Sequence, residues 1–157
     1  MSWPALLWAI ALLAALAFAL VALAVWRDPA RLIRAEYARQ RLACGFVRRQ
    51  AIVEGLRWCY AERRGTGLDA PLLVMLHGYT GSKENWYRLC AVLPRRYRLL
   101  APDLPGWGES ERVAGADHGF VAQAERVAAF LREVAAVPVV LLGHSMGGGI
   151  VAIVAAG

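Results

Sequence analysis

Charge is scarce in this sequence. Asp, Glu, Lys and Arg together make up 19% of the 157 residues, whereas hydrophobic residues make up 59% and the mean hydropathy is +0.42. A typical soluble domain is about one quarter charged, so part of the chain belongs in a membrane. Cysteine is scarce as well. Cys44, Cys59 and Cys90 show no C-x-x-C spacing, and an odd number without framework spacing argues against a disulfide scaffold and against a zinc site. This usage is compatible with a reducing compartment. Glycine-rich phosphate loops are missing too. Gly106-Trp107-Gly108 lacks the third glycine of a dinucleotide fingerprint, with Glu111 in its place, and Gly81-Ser82-Lys83 lacks the Walker spacing and order. No cofactor and no metal is expected. No internal repeat, no low-complexity tract behind the N-terminal segment and no long loop is legible.

What the sequence does have is one long apolar run. Residues 5–25, ALLWAIALLAALAFALVALAV, contain no charged or strongly polar side chain. At about 1.5 Å per helical residue such a run spans the roughly 30 Å hydrocarbon core of a bilayer. Trp3 and Trp26 bracket it where indole rings favour the interface, and Pro4 falls where a first-turn proline is tolerated. Residues 3–26 therefore read as a transmembrane anchor. A cleaved secretory signal is the rival reading: Ala22-Leu23-Ala24 resembles a cleavage site, but no basic residue precedes Arg27.

The formal net charge of +6 has an address. Residues 27–64 hold ten arginines against Asp28, Glu36, Glu54 and Glu62, and the basic and acidic residues balance from 65 onward. The surplus lies directly behind the apolar run, where it reads as attraction of the segment 27–49 to anionic lipid. It is also a topology signal that places the following domain on the cytoplasmic side, as a single-pass protein. No nucleic-acid partner is expected, because that would need the charge on a folded surface. Asp28-Pro29 has the form of an N-cap and first-turn proline, opening a basic juxtamembrane helix within 27–45. Its apolar residues Leu32, Ile33, Tyr37 and Leu42 fit either an interfacial helix along the headgroups or a solvated linker helix.

Beyond residue 46 the pattern becomes α/β. FVRRQAIVEGLRWCYAERRG reads as two strands joined near Glu54-Gly55. LLVMLHG, YRLLAPD and VPVVLLGHS read as buried parallel strands. KENWYRLCAVL, with Trp86, Leu89, Cys90 and Leu93 at helical spacing, and FVAQAERVAAFLREV read as helices between them. The fold class is α/β: a leading antiparallel hairpin, then parallel strands with helices on both faces, behind a transmembrane helix.

The chemistry concentrates in GHSMG, residues 143–147. A serine that ends a buried strand and opens a helix must occupy a tight, strained turn. Gly143 and Gly147 flank Ser145 because a side chain at either place collides with the neighbouring backbone. The helix beginning at Met146 points free N–H groups at the serine, which suits a developing oxyanion. Ser145 is the candidate nucleophile.

With these residues in hand, the chain behind the anchor region, 46–157, resembles the α/β-hydrolase fold family. His77-Gly78 matches the family's oxyanion-loop dipeptide, PDLPGWGES (102–110) its D-x-P-G-x-G-x-S loop, and GHSMG its elbow. The resemblance implies an oxyanion hole formed by the backbone N–H groups of Tyr79 and Met146. It also implies supporting roles for His77, Gly78, Gly143, His144, Gly147, Asp103, Gly106 and Gly108. His77 is then a loop-shaping residue and Asp103 a loop-structuring carboxylate, not the triad acid.

The N-terminal span, the basic stretch, WCYAERRG, LLVMLHGYTGSKENW and GHSMGG together look like the membrane-anchored monoacylglycerol lipases of this fold and related bacterial lipases and esterases. That implies a lipid ester substrate. Family members carrying aspartate at the elbow, the epoxide hydrolases and dehalogenases, are disfavoured by Ser145. A serine needs a histidine base and an orienting carboxylate, and the family supplies both after the elbow. The triad Asp and His are therefore expected beyond Gly157, with residues 46–157 an incomplete hydrolase domain that is inactive by itself. His144 is expected to face away from the pocket, and His118 to be a solvated loop residue. The alternative reading is a non-catalytic, truncated or degenerate membrane protein lacking a complete triad.

Overall fold

The computed structural model describes residues 2–67, 69–135 and 138–157, and the chain divides into two compact units between Arg39 and Gln40. The first unit contains α1 (Trp3–Arg27), a 25-residue helix in which no residue is buried. It is long and apolar enough to cross a membrane. Asp28 ends it by donating its N–H to the Ala24 carbonyl at 3.1 Å. The second helix, α2 (Arg31–Cys44), begins at Arg31 and not at Pro29, so the proline sits in the connecting turn. The Asp28 carboxylate pairs with the Arg34 guanidinium and, at 3.6 Å, with Arg31. Leu32, Ile33, Tyr37 and Leu42 are all exposed.

Helix α2 runs into the second unit and stops at Gly45, whose φ of +71° is open to glycine at little cost. Phe46 N–H reaches back to Arg41 O and Gly45 N–H to Leu42 O, both at 3.0 Å, the paired bonds of a Schellman ending. The chain then enters β1 (Val47–Val53) and β2 (Leu56–Arg63), an antiparallel hairpin turning at Glu54-Gly55, both with positive φ. There follow β3 (Leu72–Leu76), a short 3₁₀ turn (Lys83–Trp86) leading into α3 (Tyr87–Val92), and β4 (Arg98–Pro102). The chain continues through α4 (Phe120–Val134), β5 (Val139–Gly143) and α5 (Met146–Ala156).

The five strands form one sheet in the order β1-β2-β4-β3-β5. β1, β2 and β4 pair antiparallel, while β3 pairs parallel with both β4 and β5. Strand period two sorts the apolar residues onto opposite faces. Leu72, Val74, Leu76 and Leu100 join Trp58, Val127, Phe130 and Ile150 in a core under α4 and α5. Met75, Leu99 and Ala101 join Phe46, Tyr87 and Cys90 on the other face, under α3. The α/β fold with helices on both faces is thus present.

Three expectations change in detail. Leu89 is 37% exposed while Tyr87 is buried, because the 3₁₀ turn shifts the angular phase of the helix it leads into. Val137, taken as the first residue of the third parallel strand, and Leu68 in the preceding turn region lie outside the described residues. The connection from β4 to α4, residues 103–119, is one long loop where none was expected. Its first half, residues 103–111, is bonded to β2. Asp103 N–H donates to Cys59 O, Cys59 N–H to Ser110 Oγ, Arg57 N–H to Glu111 Oε2, and Glu111 N–H to Arg57 O, all between 2.8 and 2.9 Å.

Candidate active site

The parallel strands β3, β4 and β5 all end at the same edge of the sheet, so the segments that follow them converge there. Ser145 links β5 to α5 with φ 54° and ψ −120°, one of three non-glycine residues with positive φ among the described residues. Such a conformation costs of order 1–3 kcal/mol and persists only where the surroundings enforce it. The enforcement is visible at the two glycines. A Cβ on Gly143 would stand 2.3 Å from Gly147 O, and a Cβ on Gly147 would stand 2.2 Å from Leu76 O and 2.6 Å from His77 O. These contacts are with backbone, which has nowhere to move. The turn is therefore pressed against the end of β3, and Ser145 itself is exposed.

His77 and Gly78, which follow β3, meet this turn. A Cβ on Gly78 would lie 3.1 Å from Ser145 Cβ and 3.0 Å from His144 Nδ1, so only a glycine lets the two loops touch. The His77 ring is fully buried. Its Nδ1 contacts Gly78 O at 2.8 Å and its Nε2 accepts the Leu104 N–H at 3.0 Å. A carbonyl only accepts and an amide N–H only donates, so the proton sits on Nδ1 and the ring is neutral. Burial pushes its pKa below the usual histidine value. His77 thereby ties the loop after β3 to the loop after β4, and neither nitrogen is free for proton transfer.

Asp103 is fully buried and accepts hydrogen bonds from Lys83 N–H (2.6 Å), Lys83 Nζ (2.8 Å) and Glu109 N–H (2.8 Å). A Cβ on Gly108, at φ +54°, would fall 2.2 Å from its carboxyl carbon. Lys83, the only lysine in the sequence, also pairs with Glu84 at 3.0 Å and Glu109 at 2.8 Å. Burial alone would drive the ammonium toward its neutral form, but the Asp103 carboxylate overrides this and raises the pKa. Burial likewise works to raise the Glu109 pKa, and the Lys83 ammonium bonded to it prevails, lowering it. Cys59, Asp103 and Glu109 bring their ligand atoms within 4.8 Å of one another. Lys83 Nζ already bonds both carboxylates, so the charge such a group would offer a metal ion is met by the lysine.

The site also contains two side chains that the motifs do not single out. Trp107, half-buried, stands edge-on to three rings: His118 at 5.2 Å, Tyr79 at 5.9 Å and His77 at 6.4 Å between centroids. His118 is exposed, as expected, but it is not a free loop residue. Its Nδ1 lies 3.2 Å from Gln123 Nε2 and its ring fills the space where a Gly106 Cβ would stand, at 2.6 Å. The signal for Trp107 was its place inside PGWGES. Its ring contacts depend on residues 11 to 30 positions away, which no local pattern reveals.

Of the expected site residues, the structure joins Gly78, His144 and Ser145 directly, and Gly143 with Gly147 beneath them. Met146 is the buried first residue of α5, and Tyr79 is 71% exposed. Asp103 and Gly108 form a separate buried unit with Lys83. None of the three histidines hydrogen-bonds the Ser145 hydroxyl among the described residues.

The comparisons with known proteins agree with this architecture. A family model described as alpha/beta hydrolase fold matches residues 71–156. Monoacylglycerol lipase ABHD6 of Mus musculus is 33% identical over 130 residues, which are 82% of this chain and 38% of that protein. A crystal structure of a membrane phospholipase A superposes with a TM-score of 0.76 at 35% identity, covering 92% of this chain and 46% of that one. A putative lipase from Acinetobacter baumannii does so at 0.71 and 30%, covering 78% and 40%. The chain thus spans less than half the length of each of these relatives.

Proposed function

The chain belongs to the alpha/beta hydrolase fold family, and from that premise we propose that it is a membrane-anchored serine hydrolase of lipid esters, of the monoacylglycerol lipase or esterase type. The observation that carries the proposal is Ser145, held at φ 54° on a turn packed against Gly78. In this reading the Ser145 Oγ attacks the ester carbonyl carbon as its proton passes to a base. The backbone N–H groups of Tyr79 and Met146 take the negative charge that develops on the carbonyl oxygen. Collapse of that intermediate expels the alcohol, which receives the proton, and water then releases the acid from the acyl-enzyme. His77 does not act as the base, since both its nitrogens are engaged.

The substrate class rests on the relatives named as a monoacylglycerol lipase and a membrane phospholipase A. Two features of the chain favour it: the edge-on rings of Trp107 and Tyr79 give the site an apolar wall, and α1 is able to cross a bilayer. Residues 3–26 act as the anchor, 27–45 as the basic juxtamembrane segment and 46–157 as the N-terminal portion of the hydrolase domain, which carries the nucleophile but not the triad Asp and His, on the cytoplasmic side. A substrate dissolved in the bilayer then meets a tethered enzyme in two dimensions.

A fluorophosphonate probe tests the nucleophile. Covalent labelling of the protein that vanishes in Ser145→Ala, with kcat/KM on a monoacylglycerol falling by about 10⁴-fold or more, is the expected result. Absence of labelling, or labelling that survives Ser145→Ala, refutes the assignment.

A further inference from the structure

At the end of the sheet remote from Ser145 lies a cavity of about 400 Å³ lined by Gly45, Val47, Arg49, Glu62, Arg63, Arg64 and Arg95. Its position follows from register: Glu62 and Arg63 pair with Leu100 and Leu99 near the start of β4, whereas Ser145 follows the finish of β5. Four guanidinium groups face one carboxylate. That carboxylate, Glu62, is already shared between Arg49 at 3.4 Å and Arg98 at 2.7 Å. Among the described residues no carboxylate lies within ion-pairing distance of Arg63, Arg64 or Arg95.

Arg63 is the floor of this cavity and is only 3% exposed. Its Nη atoms donate to three carbonyls at the end of α3, those of Cys90, Leu93 and Pro94, at 2.8 to 3.3 Å. Its Nε is buried without any partner. Carbonyls satisfy donors but bring no full negative charge, so a buried cation remains uncompensated, a costly arrangement in the absence of a counter-ion. Arg95 stands beside it, its Nη1 bonded to Cys44 O at 3.2 Å. Burial lowers the Arg63 pKa and the Arg95 charge lowers it further. A buried guanidinium with one idle donor, rimmed by exposed Arg64 and Arg95, offers a phosphate a single charge-assisted hydrogen bond from Arg63 and the guanidinium forks of its neighbours.

We propose that this arginine cavity binds a phosphate-bearing anion, either the headgroup of an anionic lipid or a free phosphate ester, as a site separate from Ser145. The proposal is independent of the hydrolase reading. The chain enters β1 at Val47, itself part of the cavity wall. An anionic headgroup captured here would fix the domain to the surface at its tethered end.

The test follows the Nε–H resonances of the full-length protein in phosphatidylcholine nanodiscs. In one arm inorganic phosphate and glycerol 3-phosphate are titrated in; in the other, phosphatidic acid is added to the bilayer. A saturable shift of the Arg63 signal in the first arm identifies a soluble ester as ligand, and a shift in the second arm alone identifies the lipid. Either is expected to weaken about tenfold in Arg64→Gln, the loss of one charge-assisted contact. Because Arg64 is exposed, this variant keeps the test clear of folding defects that Arg63→Gln is prone to. No shift in either arm, or a shift of unchanged midpoint in Arg64→Gln and Arg49→Gln, overturns the proposal.

Discussion

His77 shows how one side chain sets a pH limit on the site. Its folded pKa is depressed by burial, so the unfolded chain takes up a proton near the ordinary histidine value of about 6.5 before the folded one does. The stability it contributes is therefore complete above that pH and is lost as the pH falls through the folded value. Protonation of Nε2 also removes the acceptor for Leu104 N–H, freeing the loop that carries Trp107. The melting temperature of the full-length protein is expected to fall between pH 7 and 5.5. In His77→Gln, whose amide carries no titratable proton, that fall should flatten; an unchanged slope would show that another group dominates. The family resemblance gave His77 and Asp103 as loop residues, and the structure holds both in buried hydrogen-bond networks. The steric demand at Gly143 and Gly147 followed from chemistry alone, since a strand-to-helix turn leaves no room for Cβ. Trp107 and His118 were not legible as partners, because ring packing across a loop leaves no periodic trace.

At the scale of elements, the apolar runs of β3 and β4 announced themselves because both their faces are buried, whereas β5, expected to be a buried strand as well, stands at the sheet edge with Val140 58% exposed. The loop 103–119 did not announce itself. Its first half is held by pairing with β2 through Ser110 and Glu111 side chains, and by the ion cluster around Lys83, which joins residues 20 and more positions apart. Lys83 and Asp103 are the buried centre of that cluster, with side chains 2% and 0% exposed. Removing one partner strands the other charge, so Lys83→Met alone should destabilise the protein by about 3–5 kcal/mol in denaturant unfolding. In Lys83→Met/Asp103→Asn neither full charge remains, and the double variant is expected to cost less than the sum of the two single ones. A coupling indistinguishable from zero would mean that the backbone bonds of Asp103 to Lys83 and Glu109, and not the ion pair, hold the loop.

At the scale of the molecule, the anchoring helix and the arginines behind it make a claim about sidedness. α1, at about 1.5 Å per residue, is some 37 Å long, more than the roughly 30 Å thickness of a bilayer's hydrocarbon core. Its N-terminal side carries no basic side chain, whereas ten arginines follow between 27 and 64. Each basic residue near an anionic leaflet contributes about 1 kcal/mol, and the bias of arginine toward the cytoplasm predicts that the segment behind α1 stays on that side. The three native cysteines are free and buried, so a cysteine placed at exposed position 2 becomes the one readily modified thiol. In intact cells a membrane-impermeant maleimide should label Ser2→Cys without lysis. Protease added outside should leave residues 46–157 undigested until the membrane is opened. Exchanging Arg27, Arg31 and Arg34 for glutamine removes the charge closest to the helix and should shift part of the population toward the opposite orientation. If Ser2→Cys is labelled only after lysis and external protease digests the domain, the arginines do not set the topology, and the proposed cytoplasmic placement of residues 46–157 falls.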